Sequence, residues 1–189
     1  AYYALGRVLQ EFGTQASTAG LLASVVHRDF ADGDPLADLQ TRDAVAIAAN
    51  TTLRFAGGQY EFRAAGGGSI VSGTARAIER VQRSSAHFAQ RPDRTYSSLD
   101  PTLTSLGGWT FQANFDRTGG RHWLWGVNTK IDSENFETND FAILNGADGW
   151  LSNATLRYRE TQPGRIFRAY SVRADVNTEA GCTKLGVQT

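Results

Sequence analysis

The chain has 189 residues, enough for one domain with its own hydrophobic core. Its 19 basic and 19 acidic residues leave no formal net charge, so composition gives no reason to expect a nucleic-acid partner. The single cysteine, Cys182, rules out an internal disulfide bond and a multi-cysteine metal site.

Two further features of composition bear on the architecture. The sequence has no apolar run of the roughly 18 residues that a transmembrane helix needs. This criterion does not apply to the strands of a membrane β-barrel, because only half of their residues are apolar. It also contains no methionine and begins with Ala1, so we expect a processed form or an excised piece of a longer chain.

The first predicted elements are strands. Segments 5–12 and 19–27 alternate weakly between apolar and polar side chains, and the Asp-rich segment 28–42 that follows is typical of a loop. Alternation is stronger over 44–64, where Val45, Ile47 and Leu53 oppose Asn50 and Arg54. A glycine pair at 57–58 predicts a hairpin turn within this region, because glycine tolerates positive φ angles.

The segment 74–88 is the one stretch with helical spacing of its apolar residues. The same residues are also compatible with a strand that runs into a long loop. The sequence leaves both alternatives open.

A second hairpin is predicted over 107–130, around a turn at Thr118-Gly119-Gly120. Its side chains alternate with unusual regularity. One set is apolar and the other is polar: Trp109, Phe111, Phe115, Trp123, Trp125 and Val127 against Thr110, Gln112, Asn114, Asn128 and Lys130.

The remaining elements are a polar loop over 132–148 and two alternating strands over 150–159 and 166–176, which are separated by a turn at Gln162-Pro163-Gly164. The whole pattern predicts an all-β chain of antiparallel strands.

Two architectures fit this pattern. A soluble antiparallel sandwich would bury the apolar face in its core. An outer-membrane β-barrel would turn the same face to lipid, and it is favoured by alternating segments of about 10 residues, close to the length of a tilted membrane-spanning strand. Trp109, Trp150 and Tyr170 are also expected near strand ends, where aromatic girdles lie.

Four segments of the sequence resemble a known family: GRVLQEFG (6–13), AHFAQRPDRTYSSLDPTLTSLGGW (86–109), NFETNDFAILNGADGW (135–150) and LRYRETQPGRIFRAYSV (156–172). In this order they resemble a bacterial family of uncharacterised proteins. Its members join an N-terminal module like carbohydrate-binding family 9 to a C-terminal domain predicted to be an outer-membrane β-barrel. The words Gln90-Arg91-Pro92-Asp93 and Glu137-Thr138-Asn139-Asp140 are the most specific.

The resemblance implies a Gram-negative outer-membrane location and a porin-like shape. It corresponds to a middle part of the family's barrel domain, so residues 1–189 are expected to form a single β-barrel domain that is part of a longer chain and a larger barrel. The binding-like module is missing, and Ser133-Glu134-Asn135 stands where the family usually has a proline-glycine pair.

Catalytic chemistry has weak support in the sequence. Asp100, Glu134, Glu137, Asp140 and Asp148 would suit a glycoside hydrolase only if two of them lay about 5–10 Å apart. The histidines at 27, 87 and 122 have no metal-ligand spacing. We therefore expect no catalytic activity, no cofactor and no metal.

The two loop motifs, residues 90–93 and 137–140, supply the candidate ligand-binding or loop-ordering residues, namely Arg91, Asp93, Asn139 and Asp140. The proline of the first motif fixes a turn, and Arg91 with Asp93 could form a local ion pair.

The sequence thus predicts an outer-membrane barrel that acts as a channel or an anchored surface platform, with a link to glycans. Trp109, Phe111, Phe115, Trp123 and Trp125 are expected to face lipid. Membrane lipid, glycan and other outer-membrane proteins are the expected partners, and nucleic acid is not. The alternatives are a soluble glycan-binding sandwich and a glycoside hydrolase that uses its loop carboxylates.

Overall fold

The computed structural model describes residues 1–89, 98–138, 140, 144 and 147–180. Within these residues, eight antiparallel strands follow one another along the chain and pair in sequence order into a single open sheet, with β1 and β8 at its edges. The strands are β1 (Tyr2–Phe12), β2 (Ser17–His27), β3 (Asp43–Phe55), β4 (Tyr60–Ser72), β5 (Ser105–Arg117), β6 (Trp123–Asp132), β7 (Gly149–Glu160) and β8 (Tyr170–Ala180). The prediction of an all-β chain with up-and-down antiparallel strands is confirmed.

The connections divide the sheet into two different ends. At one end, which we call the short-turn end, the strands are joined by residues 13–16, 56–59, 118–122 and 161–169. At the other, the long-loop end, they are joined by residues 28–42, 73–104 and 133–148. In an up-and-down sheet, every second connection lies at the same end. The three longest connections of this chain therefore all lie at one end of the sheet.

The turn between β3 and β4 shows why this sequence forms a tight hairpin. Gly57 and Gly58 have φ angles of 68° and 80°, in the left-handed region that glycine adopts without steric cost. The Gly58 N–H donates to the carbonyl of Phe55 at 3.1 Å and closes the turn. The hairpins predicted at 57–58 and 119–120 are confirmed, whereas Pro163-Gly164 lies in a longer connection, 161–169.

The two faces of the sheet differ in chemistry because directly opposed residues on neighbouring strands share a face. One face, the apolar face, carries most of the large apolar side chains of β2 to β8. In register across β4 to β7 it includes Gly66, Phe111, Ile131 and Trp150, and then Phe62, Phe115, Val127 and Ala154. The opposite face, the polar face, carries Arg63, Asn114, Asn128 and Asn153 at corresponding positions.

The small hydrophobic core lies on the polar face, at the long-loop end. Helix α1 (Ala75–Gln82) packs there, and Ile78 is fully buried against Val26, Ala44, Val71 and Leu106. The helix begins after Thr74, whose side-chain oxygen accepts a hydrogen bond from the Ala77 N–H at 3.2 Å. Of the two alternatives for segment 74–88, the helix is therefore correct over 75–82.

The apolar face has no comparable cover among the described residues. Phe111 is 42% exposed, Val127 51%, Ile47 61% and Ile70 62%. Such a continuous exposed apolar surface is rare on soluble monomers and marks contact with a partner or with lipid.

A close contact on the polar face explains one glycine. A Cβ atom on Gly108 would collide with the backbone of Asn135 and Phe136, because the loop after β6 lies directly on β5 there. The neighbouring Gly107 points to the apolar face, where a Cβ would make ordinary contacts of 3.6 and 3.7 Å.

These two glycines make a matched pair for a stability test. Gly108→Ala should lower the free energy of unfolding by about 1–3 kcal/mol, since the loop must move or the strand must bend to admit the methyl group. Gly107→Ala should leave it nearly unchanged. Urea unfolding, followed by tryptophan fluorescence, measures both. Equal effects of the two substitutions would contradict the packing of the loop on β5.

Candidate functional site

Three long loops meet on the polar face at the long-loop end, and we call their described parts the loop cover. They come from residues 28–42, 73–104 and 133–148. The cover is held by side-chain contacts between segments far apart in sequence, and those contacts define the candidate site.

The first contact is a latch formed by Arg28, Thr41 and Asp140. Arg28 donates from Nη2 to Asp140 Oδ1 at 2.5 Å, and the Thr41 hydroxyl donates to Asp140 Oδ2 at 2.7 Å. Arg28 also donates from Nη1 to the Thr41 carbonyl at 2.9 Å. The ion-paired side chains are only 13% and 14% exposed, so the latch joins the first and third loops through largely desolvated charges.

The second contact is a buried pair between His87 and Glu137. The imidazole Nε2 lies 2.8 Å from Glu137 Oε2, and Nδ1 lies 2.8 Å from the carbonyl oxygen of Glu134. A carbonyl can only accept, so Nδ1 carries a proton. The side chains are 3% and 5% exposed, and they join the second loop to the third.

Further hydrogen bonds attach the cover to the sheet and to itself. The Glu137 N–H donates to the Ser69 hydroxyl of β4 at 3.0 Å. The buried Gln82 side chain donates to the carbonyl of Asp100 at 2.8 Å and accepts from its N–H at 2.9 Å, which fixes the end of α1 against the returning chain.

A cavity of about 490 Å³ lies beside the latch. Arg28, Thr41 and Asp140 form part of its wall, and the wall also includes Tyr3 of β1 and Arg80 of α1. Its volume falls within the range of small-molecule sites. The described parts of the loop cover therefore leave an open, solvent-connected cavity beside the latch.

Beyond the cover, the polar face carries a ladder of ion pairs. Arg54 and Arg63 bind the two oxygens of Glu61 at 2.9 and 3.2 Å, and Arg63 continues to Asp116 at 2.9 Å. An amide ladder crosses β6 to β8, where Asn128 donates to Asn153 at 3.2 Å. Asn153 in turn donates to Asn177 at 2.6 Å. Side chains of this kind suit a wall that faces water.

Aromatic rings gather at the short-turn end of the apolar face. Phe115 and Trp125 have ring centroids 5.3 Å apart, Trp123 and Tyr158 5.0 Å, and Tyr158 and Tyr170 6.0 Å. These rings follow one another across β5 to β8 and form an aromatic row.

The expected position of Trp109 near a strand end is wrong. Pairing between β4 and β5 already begins at Ser105, opposite Ser72, so Trp109 lies inside β5. Trp150 and Tyr170 do lie at or next to the first residue of their strands.

The structure brings together the apolar residues that the sequence singled out. Trp109, Phe111, Phe115, Trp123 and Trp125 share the apolar face. Asp140 lies in the latch, while Arg91, Asp93 and Asn139 fall outside the described residues. Lipid contact by the apolar residues stays a prediction.

The loop carboxylates have separate roles. Asp100 stabilises a turn by accepting the Thr102 hydroxyl at 2.6 Å and the Thr102 N–H at 2.9 Å, and these hydrogen bonds hold the pKa of Asp100 below its ordinary value. Glu137 and Asp140 both line the cavity, each bound to a basic side chain. In the described ranges, no group of three or more His, Cys, Asp or Glu residues could hold a metal ion.

Comparison with known proteins identifies the family. The family model described as "Domain of unknown function (DUF5916)" matches residues 68–188, more than half of the chain. The chain belongs to the DUF5916 family. No curated protein and no solved structure matches it. The matched region of this DUF5916 chain begins within β4 and includes α1, the third long loop and the last four strands.

Over the residues that the structure describes, none of the helices is long and apolar enough to cross a membrane.

Sequence reasoning missed Arg28, Thr41 and the partnership of His87 with Glu137. A usable signal was present: in an up-and-down sheet, the second, fourth and sixth connections lie at one end. Polar residues in those three connections were therefore candidates for mutual contact.

The latch can be tested by replacing the Asp140 carboxylate with an uncharged amide of the same shape. Asp140→Asn removes the charge that balances Arg28, so we expect a loss of roughly 1–3 kcal/mol in the free energy of unfolding. Amide hydrogen exchange should also become faster over residues 133–138.

Asp38→Asn is the control, because Asp38 pairs with Arg76, whose side chain is 81% exposed. Exposed pairs contribute about 0.2–1 kcal/mol, so a smaller effect is expected. If Asp140→Asn changed neither exchange nor stability, the latch would not hold the loop.

Proposed function

We propose that this chain is part of an outer-membrane β-barrel whose apolar face contacts lipid and whose polar face lines the lumen. The observation that carries the proposal is the placement of the two surfaces. Exposed aromatic and aliphatic side chains cover one face, while the core, the ion-pair ladder and the loop cover all lie on the other. A soluble sandwich would need a second sheet over the apolar face, and the described strands form only one sheet.

The dimensions of the strands support a membrane role. A strand rises about 3.3 Å per residue, so roughly ten residues at a tilt of about 40° span approximately 25 Å, the height of the apolar band of an outer-membrane barrel. The strands run from 10 residues in β6 to 13 residues in β3, β4 and β5. The aromatic row at the short-turn end lies where an interfacial girdle is expected.

The connections give the orientation. Barrels of this class have short periplasmic turns and longer extracellular loops. The short-turn end therefore faces the periplasm and the loop cover lies at the extracellular mouth.

The two open edges fit a larger barrel. Unpaired backbone groups of β1 and β8 would be costly in hydrocarbon, so in the membrane these edges pair with further strands, or with each other when the chain is folded alone. This agrees with the resemblance to a middle part of a barrel domain.

Within such a barrel the chain acts as a wall with a narrowed mouth. The ion pairs and amide ladder line a path for hydrophilic solutes, and the loop cover restricts entry through the cavity. A role as an anchored surface platform uses the same shape. The glycan link and the association with other outer-membrane proteins rest on the resemblance alone, through the binding-like module of the related proteins.

A pair of neighbouring substitutions tests the orientation of the sheet. Phe111 lies in the middle of β5 on the apolar face, and Gln112 follows it on the polar face. Phe111→Arg should cost about 2–4 kcal/mol of stability in a bilayer, because it places a charge near the midplane, while Gln112→Arg should cost little.

Folding of both variants into phosphatidylcholine vesicles, followed by urea titration, provides the measurement. Equal stability of the two variants in bilayers would show that the apolar face does not contact hydrocarbon.

A further inference from the structure

The cavity beside the latch has polar groups that the described residues leave unused. The Ser84 Oγ atom is buried and has no hydrogen-bond partner there. Arg80 is exposed and makes no ion pair with a described carboxylate. A buried polar atom without a partner requires an explanation, and a bound solute is one.

These groups share one side of α1 and its continuation. Ala77, Arg80, Val81 and Ser84 line the cavity, at the spacing that places residues on one helical face. Gln40 and Tyr3 also line the cavity, and Tyr3 is largely exposed. Besides the latch and Glu137, the lining therefore offers hydrogen-bond donors from a guanidinium, an amide and two hydroxyls.

The charged side chains that line the cavity are Arg28, Arg80, Glu137 and Asp140. Arg28 pairs with Asp140 in the latch, and Glu137 contacts His87. Arg80 is the one of these four that makes no ion pair with a described residue, so it is available to a bound solute.

We propose that this cavity binds a small solute through an oxyanion group, with Arg80 as the charged anchor and Ser84 as a hydrogen-bond donor. Guanidinium groups bind carboxylate and phosphate oxygens through paired N–H donors, which point charges cannot do. The site lies within the loop cover, so the same solute would meet it before it reached the ion-pair ladder. The proposal does not depend on contact between the apolar face and lipid.

Binding is measured by isothermal titration calorimetry of the folded chain in non-ionic detergent, with inorganic phosphate, acetate and glycerol as probes at constant ionic strength. Phosphate and acetate should bind and glycerol should not. Arg80→Gln should weaken phosphate binding by on the order of ten-fold or more, as expected for loss of a charged hydrogen bond. Ser84→Ala should weaken it by several-fold, and Arg80→Lys should restore only part of the affinity.

Arg83→Gln is the matched control. It removes the same charge from the end of the same helix, but Arg83 pairs with Glu79 at 2.8 Å and does not line the cavity. Circular dichroism checks that each variant keeps its sheet. Wild-type affinity in Arg80→Gln, an equal loss in Arg83→Gln, or glycerol binding as strong as phosphate binding would each overturn the proposal, as would absence of phosphate and acetate binding to the wild type.

Discussion

The apolar face of the sheet is the constraint on which the rest of the structure depends. Burial of apolar surface stabilises a protein by about 25 cal/mol for each Å² removed from water, and all eight strands contribute apolar side chains to this one surface. Within the described part of the chain nothing packs on it. Lipid is the environment that satisfies such a surface without a second protein layer, and it also accounts for the position of the aromatic row at the short-turn end.

The proposed contact between the apolar face and lipid changes how the small core is interpreted. In the proposed barrel, Ile78, Val71 and Leu106 attach a helix to the lumen side of the wall instead of forming the centre of a globular domain. The latch and the His87–Glu137 pair then fix the remaining loops around that helix. In the same proposal, the long-loop end is the mouth of the barrel, and the cavity beside the latch lies where a solute would enter.

Much of the sheet could be predicted from the sequence because period-two alternation is a local property. The hairpin over 107–130 shows this well, since its two sets of side chains lie on opposite faces of β5 and β6. Segment 74–88 was ambiguous because its helix is short and is stabilised by packing of Ile78 on the sheet, which local spacing does not show.

The candidate site could not be predicted in the same way. Arg28 and Asp140 lie 112 residues apart, and their contact depends on two loops reaching the same end of the sheet. Gly108 gave no signal of its own, because the reason for a glycine there is the backbone of Phe136 pressed against it. The pattern of alternation predicts faces and ends, while contacts between loops require the register of the whole sheet.

Fluorescence quenching by brominated lipids tests the central claim most directly. All four tryptophans, Trp109, Trp123, Trp125 and Trp150, lie on the apolar face, so the signal reports that face alone. In phosphatidylcholine vesicles, lipids brominated along their acyl chains should quench this fluorescence strongly, and bromines near the headgroup should quench more than bromines near the chain ends. Fluorescence that is unchanged by brominated lipid in vesicles containing the folded chain would contradict the account.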